Sequence, residues 1–370
     1  MDLRRTVRRV VDPDLRDDLA AAVVPWLVSR ALVGVAFVVA RLVADELDAA
    51  PVPLADGLFA WDGVWYRGIA EFGYGGLPDD AVRFFPLYPI AGRVVGFVLA
   101  GREWLALLLL ANLGALVAAV IVHRLTLNLT GDRQTALRAT WLLLLSPASF
   151  VLVWAYSEAM FLVASAGALL ALRRRAWSWA AGVGAAAALT RPVGVLLVVA
   201  AVVEALGSGR GGRRVARAAA VLGPLVGLAA FLVWAEVSGR WQAPIDAQTP
   251  LRGDLAVPLV PLFTGLADVV DGRLSAGLHL GAAAVFAGLV VVAFLRLPLA
   301  FGLLAAAMFL VATSAERLTS VERYALGAVP IIIAAAIVVR RPAVERAVLP
   351  LTASAMVGLA VLAWLGAYTP

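Results

Sequence analysis

Few residues in this 370-residue sequence have types and spacing suited to chemistry. One acid stands among aromatic rings, in Trp61-Asp62-Gly63-Val64-Trp65-Tyr66. Ile69-Ala70-Glu71-Phe72-Gly73-Tyr74 and Phe84-Phe85-Pro86-Leu87-Tyr88-Pro89 follow closely. A carboxyl group desolvated by such neighbours at a membrane surface can rise toward the pKa of a useful general base. An interfacial aromatic belt around a solvated acid has the same composition and is the ordinary alternative. Arg191, with Pro192 behind it, and Arg323, beside Tyr324, could each grip a phosphate through the bidentate guanidinium fork. An arginine snorkelling to lipid headgroups is the plainer reading of both. Glu158 follows Tyr156-Ser157 and could be an acid favoured at a helix N-terminus. Glu71 could belong to the solvated face of a helix. Trp241 could stack on a sugar or a lipid and Gln248 could bind hydroxyls, although an interfacial Trp is the more common role.

Composition removes whole classes of chemistry. There is no Cys, so disulfides and thiolate metal sites are absent, and His123 and His279 alone cannot build a histidine-rich metal site. All 31 basic residues are Arg. Without Lys there is no Walker P-loop, Schiff base or pyridoxal phosphate site, because each needs an amine at the reacting centre. The net charge of +6 is carried by arginine clusters between apolar runs, which reads as a topology signal and not as a nucleic-acid surface.

The elements that must position these residues are membrane helices. The chain is 62% hydrophobic and 15% charged, with a mean hydropathy of +0.92. Its apolar runs are long enough to cross a hydrocarbon core about 30 Å thick, which predicts an all-α polytopic membrane protein. A first span covers 23–44, with 1–22 cytoplasmic and Arg30 snorkelling to the near interface. The arginine-rich connections at 124–138, 173–175, 207–217, 296 and 340–346 are assigned to the cytoplasm, so each interval between them holds an even number of spans. By that parity 84–100 cannot cross and is a juxtamembrane or re-entrant helix within a first outer loop, 45–103. The same test splits 139–172 at Tyr156-Ser157-Glu158 and 177–206 at Arg191-Pro192. Spans at 218–236, 278–295, 297–313, 324–339 and 347–367 bring the count to about eleven, with a second large outer loop at 237–277. The candidate residues then gather on the outer face. A transporter would instead place ionisable groups near the bilayer midplane in two related halves.

The ordered set W-D-G-x-W-Y, I-A-E-x-G-Y and F-F-P-L-Y-P resembles the PIG-V family. So does its continuation in Ser146-Pro147-Ala148-Ser149-Phe150, Tyr156-Ser157-Glu158-Ala159-Met160-Phe161 and Leu189-Thr190-Arg191-Pro192-Val193-Gly194. The likeness covers about 55–200 and continues more weakly to Gln248 and Ser320-Val321-Glu322-Arg323-Tyr324. It implies a single membrane domain with the GT-C glycosyltransferase fold. The implied activity is a mannosyltransferase that takes its sugar from a polyprenyl phosphate, inverts the anomeric centre and acts on a glycolipid, glycan or protein. It also implies Asp62 as catalytic base, with Glu158 binding sugar hydroxyls, orienting a partner or binding a cation. Arg191 and Arg323 are the candidates for the donor phosphate. Trp61, Trp65, Tyr66, Glu71, Tyr74, Tyr88, Tyr156, Trp241, Gln248 and Tyr324 are the candidates for substrate contact. No cofactor is expected, although Asp62, Glu71 and Glu158 could still converge on Mg²⁺ or Mn²⁺. All-Arg, Ala- and Val-rich usage suggests a GC-rich bacterium, with the active site on the outer face of its plasma membrane. A lipid-linked sugar flippase without catalysis is the alternative function.

Overall fold

The computed structural model describes residues 15–208, 214–240, 242–246, 249, 253–270 and 274–370. Ala-, Leu- and Val-rich runs form helices, and breaks fall where the sequence supplies caps or prolines. The principal helices are α1 Leu15–Glu46, α2 Asp62–Phe72, α3 Leu87–Val98, α4 Glu103–Thr130, α5 Arg133–Leu145, α6 Glu158–Arg173, α7 Trp177–Thr190 and α8 Leu197–Gly207. Then follow α9 Arg214–Val237, α10 Val260–Val270, α11 Leu274–Arg296, α12 Leu299–Ala312, α13 Val321–Gly327, α14 Val329–Val338 and α15 Pro342–Trp364. Among the described residues there is no strand, only an isolated bridge between Leu255 and Ala315.

The turn between α4 and α5 shows how the sequence ends one helix and starts the next. Gly131 takes the left-handed conformation (φ 66°) as C-cap. Asp132 then caps α5, its carboxylate accepting the Gln134 and Thr135 N–H groups at 3.1 Å.

The protein is multi-pass. Among the described residues five helices, α1, α4, α9, α11 and α15, are long and apolar enough to cross a membrane. The other expected spans are shorter or broken. At 1.5 Å per residue the 14 residues of α7 or of α12 reach only about 21 Å. The expected span 324–339 is not one helix, because α13 and α14 meet at an angle of 86° where Gly327 precedes Ala328 and Pro330. The expected break at 156–158 is wider than a junction. Helix α5 stops at Leu145 before Ser146-Pro147, a single 3-10 turn spans Ser149–Leu152, and α6 begins at Glu158. Within 84–100 the helix is the 12-residue α3, about 18 Å long and too short to cross.

Arg30 departs from its expected snorkelling. Its guanidinium turns inward, donating to Asn112 Oδ1 and the Leu152 carbonyl, each at 3.1 Å, and lies 4.7 Å from the Trp26 ring. A charged group within a span is stabilised by such partners, and here it ties α1 to α4 and to the 149–152 turn.

Ion pairs gather the arginine-rich helix ends at one pole. Asp18 of α1 meets His123 at 2.8 Å and Arg124 at 2.5 Å near the end of α4, and Asp17 meets Arg133 at 3.2 Å. Arg138 reaches Glu345 at the start of α15, and Arg173 at the end of α6 reaches Glu204 near the end of α8. At the other pole lie the starts of α2 and α6, the end of α7, and α13. Packing of α7 on α9 fixes one corner of that pole. A Cβ on Gly223 would lie 2.3 Å from the Ala181 carbonyl oxygen, and one on Gly227 equally close to that of Ala185. This Gly-x-x-x-Gly face lets the two backbones touch.

Candidate active site

The site is built at the second pole from segments far apart in the chain. Asp62 opens α2 directly after Trp61, whose φ of 58° is rare for a residue with a Cβ. Such a backbone costs about 1–3 kcal/mol and persists only where the surroundings enforce it. Two reciprocal indole bonds do so, from Trp61 Nε1 to the Ala363 carbonyl and from Trp364 Nε1 to the Gly57 carbonyl, each 2.9 Å. The Ala155 N–H donates to the Leu58 carbonyl at 2.9 Å, joining the loop before Asp62 to the loop before Glu158. Ser320, which precedes α13 and its Arg323, is also left-handed, with φ 58°.

Four charged side chains then meet. Arg323 is only 7% exposed, and its Nη2 donates to Asp62 Oδ2 at 2.9 Å while its Nε donates to Glu158 Oε1 at 2.7 Å. Its Nη1 donates to the Pro370 carbonyl at 2.9 Å, and the guanidinium lies 4.9 Å from the Tyr156 ring centroid. Arg191, at the break before Pro192, donates through Nη1 to the same Glu158 Oε1. Glu158 is 1% exposed, and its second oxygen, Oε2, is buried without a hydrogen-bond partner. The Asp62 side chain keeps 25% of its surface open and that of Arg191 keeps 16%. One carboxylate is thus open at the front of the cluster and one lies at the back, with a buried arginine between them.

The expected phosphate pair therefore divides. Arg323 spends most of its donors on the two acids and a carbonyl, so its geometry is that of a group positioning Asp62 and Glu158. Arg191 gives one donor to Glu158 and retains exposed surface, so it alone of the two presents open guanidinium.

The aromatic candidates divide as well. Tyr66, Tyr88 and Tyr156 are buried. Tyr66 donates to Ser157 Oγ at 2.8 Å, Tyr88 to the Leu107 carbonyl at 2.9 Å, and the Tyr156 hydroxyl accepts the Asp62 N–H at 3.2 Å. Burial first, and then the charges of Glu158 and Asp62, push the Tyr66 phenol well above its ordinary pKa, so it remains a hydrogen-bond donor. All three phenols are thus engaged in the interior. Tyr74 donates to the Phe84 carbonyl at 2.6 Å, and Trp65 stacks on Phe84 with centroids 5.8 Å apart. Trp61 and Tyr324 are half-buried beside the two functional segments. Glu71 stands apart from the cluster, in an i,i+4 pair with Arg67 at 2.7 Å. Trp241 and Gln248 lie outside the described residues. Among the described residues no group of three or more His, Asp or Glu side chains is placed to hold a metal ion, and Glu71 lies apart from Asp62 and Glu158.

Sequence reasoning passed over another buried acid at this pole. Glu322 sits between His279, whose Nδ1 lies 3.0 Å from both carboxylate oxygens, and Tyr368, whose hydroxyl donates to Oε2 at 3.1 Å. It lies in the same S-V-E-R-Y stretch that drew attention to Arg323. An apolar groove of about 690 Å³ between α11, α14 and α15 reaches Glu322 at the site end, with Ser146 and Pro147 beside it.

The fold and the cluster define a class: an all-helical membrane protein with a carboxylate–guanidinium site at one pole. Residues 40–206, which include Asp62, Glu158 and Arg191, match the family model described as mannosyltransferase (PIG-V). It is 36% identical over 138 residues to GPI alpha-1,6-mannosyltransferase 2 of Cricetulus griseus, covering 35% of this chain and 27% of the relative. GPI mannosyltransferase 2 of Drosophila pseudoobscura pseudoobscura is 30% identical over 138 residues, covering 35% and 30%. The chain thus spans about a third or less of the length of these relatives. Among solved structures, the Archaeoglobus fulgidus oligosaccharyltransferase aligns with a TM-score of 0.49 at 16% identity, over 95% of this chain and 56% of its own. ArnT of Cupriavidus metallidurans bound to undecaprenyl phosphate aligns with a TM-score of 0.48 at 18% identity, over 82% and 71%.

Proposed function

We propose that the protein is a glycosyltransferase of the GT-C kind, a mannosyltransferase that moves its sugar from a polyprenyl phosphate to a hydroxyl of a lipid or envelope glycan, with inversion. One observation carries the reading: Asp62, Glu158, Arg191 and Arg323 come from four separate segments into one hydrogen-bonded cluster, and three of them lie within the matched stretch. In this reading the acceptor oxygen attacks the anomeric carbon and its proton passes to Asp62. The bond from that carbon to the phosphate oxygen breaks, and the phosphate leaves with the electron pair. Arg191 meets the developing phosphate charge through its free donors. Arg323 holds Asp62 in place, and the unpartnered Glu158 Oε2 accepts a hydroxyl from the sugar. A single open carboxylate suits one inverting displacement. The groove that ends at Glu322 suits a prenyl chain, since its walls are almost wholly apolar.

The site pole faces outward and the arginine pole faces the cytoplasm in this reading, in keeping with the positive-inside rule. Phosphate recognition rests on guanidinium and needs no bound metal.

The test is transfer from radiolabelled polyprenyl-phosphate mannose by the purified, reconstituted chain, before and after exhaustive chelation. Labelled product in both arms is the expected result. Translocation of the donor without any transfer would replace this reading by a flippase, and activity that vanishes with chelator and returns with Mn²⁺ would replace the arginine by a metal. Orientation is read separately. Ser208→Cys should be shielded from an impermeant thiol reagent in intact cells, and Thr249→Cys should react.

A further inference from the structure

The pole opposite the active site carries a second built feature. Helix α11 has His279 at the site end and Arg296 at its other end, about 25 Å further along the helix axis. There the ends of α11 and α14 and the start of α15 enclose a groove of about 470 Å³. Val292, Leu295 and Ile337 help to form its apolar walls, and Arg296, Arg340 and Arg341 line it as well. None of these three guanidinium groups forms an ion pair or side-chain hydrogen bond with another described residue. The acid at the start of α15, Glu345, is already engaged by Arg138 at 2.8 Å. Three unneutralised cations around one apolar cleft at a helix-bundle end would repel each other without a counter-charge. Other arginines of this pole meet carboxylates instead, as in Arg124 with Asp18, Arg133 with Asp17 and Arg173 with Glu204.

We propose that this arginine-lined groove binds an anionic phospholipid, whose phosphate sits among Arg296, Arg340 and Arg341 and whose acyl chains lie along the apolar wall of α11 and α14. The commitment to a lipid follows from the pairing of the two surfaces. A free phosphate would use the arginines and leave the wall bare, whereas a phospholipid satisfies both at the depth where headgroup and acyl chain meet. A zwitterionic lipid offers a compensating cation to the same arginines and fits less well. The inference is independent of the transferase reading, because it concerns the other end of the bundle.

The experiment is native mass spectrometry of the full-length purified protein exchanged into phosphatidylglycerol or phosphatidylcholine nanodiscs and then released. Wild type should retain phosphatidylglycerol about tenfold better than phosphatidylcholine. The triple variant Arg296→Gln, Arg340→Gln, Arg341→Gln should lose that preference, and each single change should lose part of it. Arg346→Gln, on the same helix end but outside the groove, should keep it. If the triple variant does not fold, the single variants and competition by inorganic phosphate still decide the matter. Equal retention of the two lipids overturns the proposal. So does a triple or single-variant set that matches Arg346→Gln, or displacement of phosphatidylglycerol by modest inorganic phosphate, which would mean a free-anion site.

Discussion

Arginine dominates both poles of the protein, under opposite conditions. At the site, Arg323 and Arg191 share one oxygen of a buried glutamate, and Arg323 also reaches Asp62. At the other pole Arg133 and Asp17 form their pair with 66% and 57% of their side-chain surface in the open. The chemistry of the ion pair is the same; its surroundings are not. A carboxylate removed from solvent depends on its partners, because an uncompensated buried charge costs several kcal/mol. A pair bathed in water contributes about 0–1 kcal/mol. The site arginines should therefore be intolerant of change for structural as well as catalytic reasons, and the exposed ones should be replaceable singly.

The largest effect should come from Arg323→Gln. It strips Asp62 of its guanidinium and leaves Glu158 with Arg191 alone, so stability should fall by about 3–5 kcal/mol and turnover should be lost. Denaturation in detergent micelles measures the first. Adding Glu158→Gln to that variant should recover part of the stability without recovering turnover, and strict additivity of the two changes would break the argument that they form one network.

Asp62→Asn comes next. Its shape and N-terminal position in α2 are kept while the proton acceptor is removed, so transfer should slow by about 10² or more with donor binding little changed. Near-wild-type turnover with chemistry rate-limiting would take Asp62 out of the base role.

A smaller change is expected for Arg191→Lys, which preserves charge but not the fork. The KM for donor should rise by about tenfold, with the melting temperature close to wild type, because Arg323 still compensates Glu158. An equal loss of stability from Arg191→Lys and Arg323→Gln would erase the division of labour between the two arginines. The smallest effect belongs to the exposed pole. Arg133→Gln should shift stability by less than about 1 kcal/mol, and a larger shift would mean that exposure is a poor guide in this bundle.

Much of the site could be read from residue order. Asp62, Glu158, Arg191 and Arg323 each stood in a motif that drew attention to it, and at Glu158 and Arg191, where a break was expected, helices do begin or end, at α6 and α7. What the one-dimensional pattern could not supply was which acid each arginine would meet, since the Arg323–Asp62 bond joins residues 261 positions apart. Aromatic content was equally ambiguous. The same Tyr types that stack on sugars also fill the space between short helices, and Tyr66, Tyr88 and Tyr156 went to packing because each phenol finds a partner in the interior. Arg30 misled for a related reason, because hydropathy reports the cost of a charge in a span but not the partners, here Asn112 and Leu152, that offset it. The α7–α9 contact was legible and was overlooked, as Gly223 and Gly227 stand in plain Gly-x-x-x-Gly spacing within an apolar run.

The reach of the Arg323 bond has a consequence for the order of synthesis. Asp62 and Glu158 leave the ribosome early, and Arg191 follows soon after, but the guanidinium that joins the two acids arrives only once residue 323 has been added. A nascent chain stopped shortly before that point would contain the entire PIG-V-like stretch, 40–206, and still lack its cross-tie. The site thus stays open until the last of its four charged residues is made, and the arrival of residue 323 is what locks its first-made residue in place.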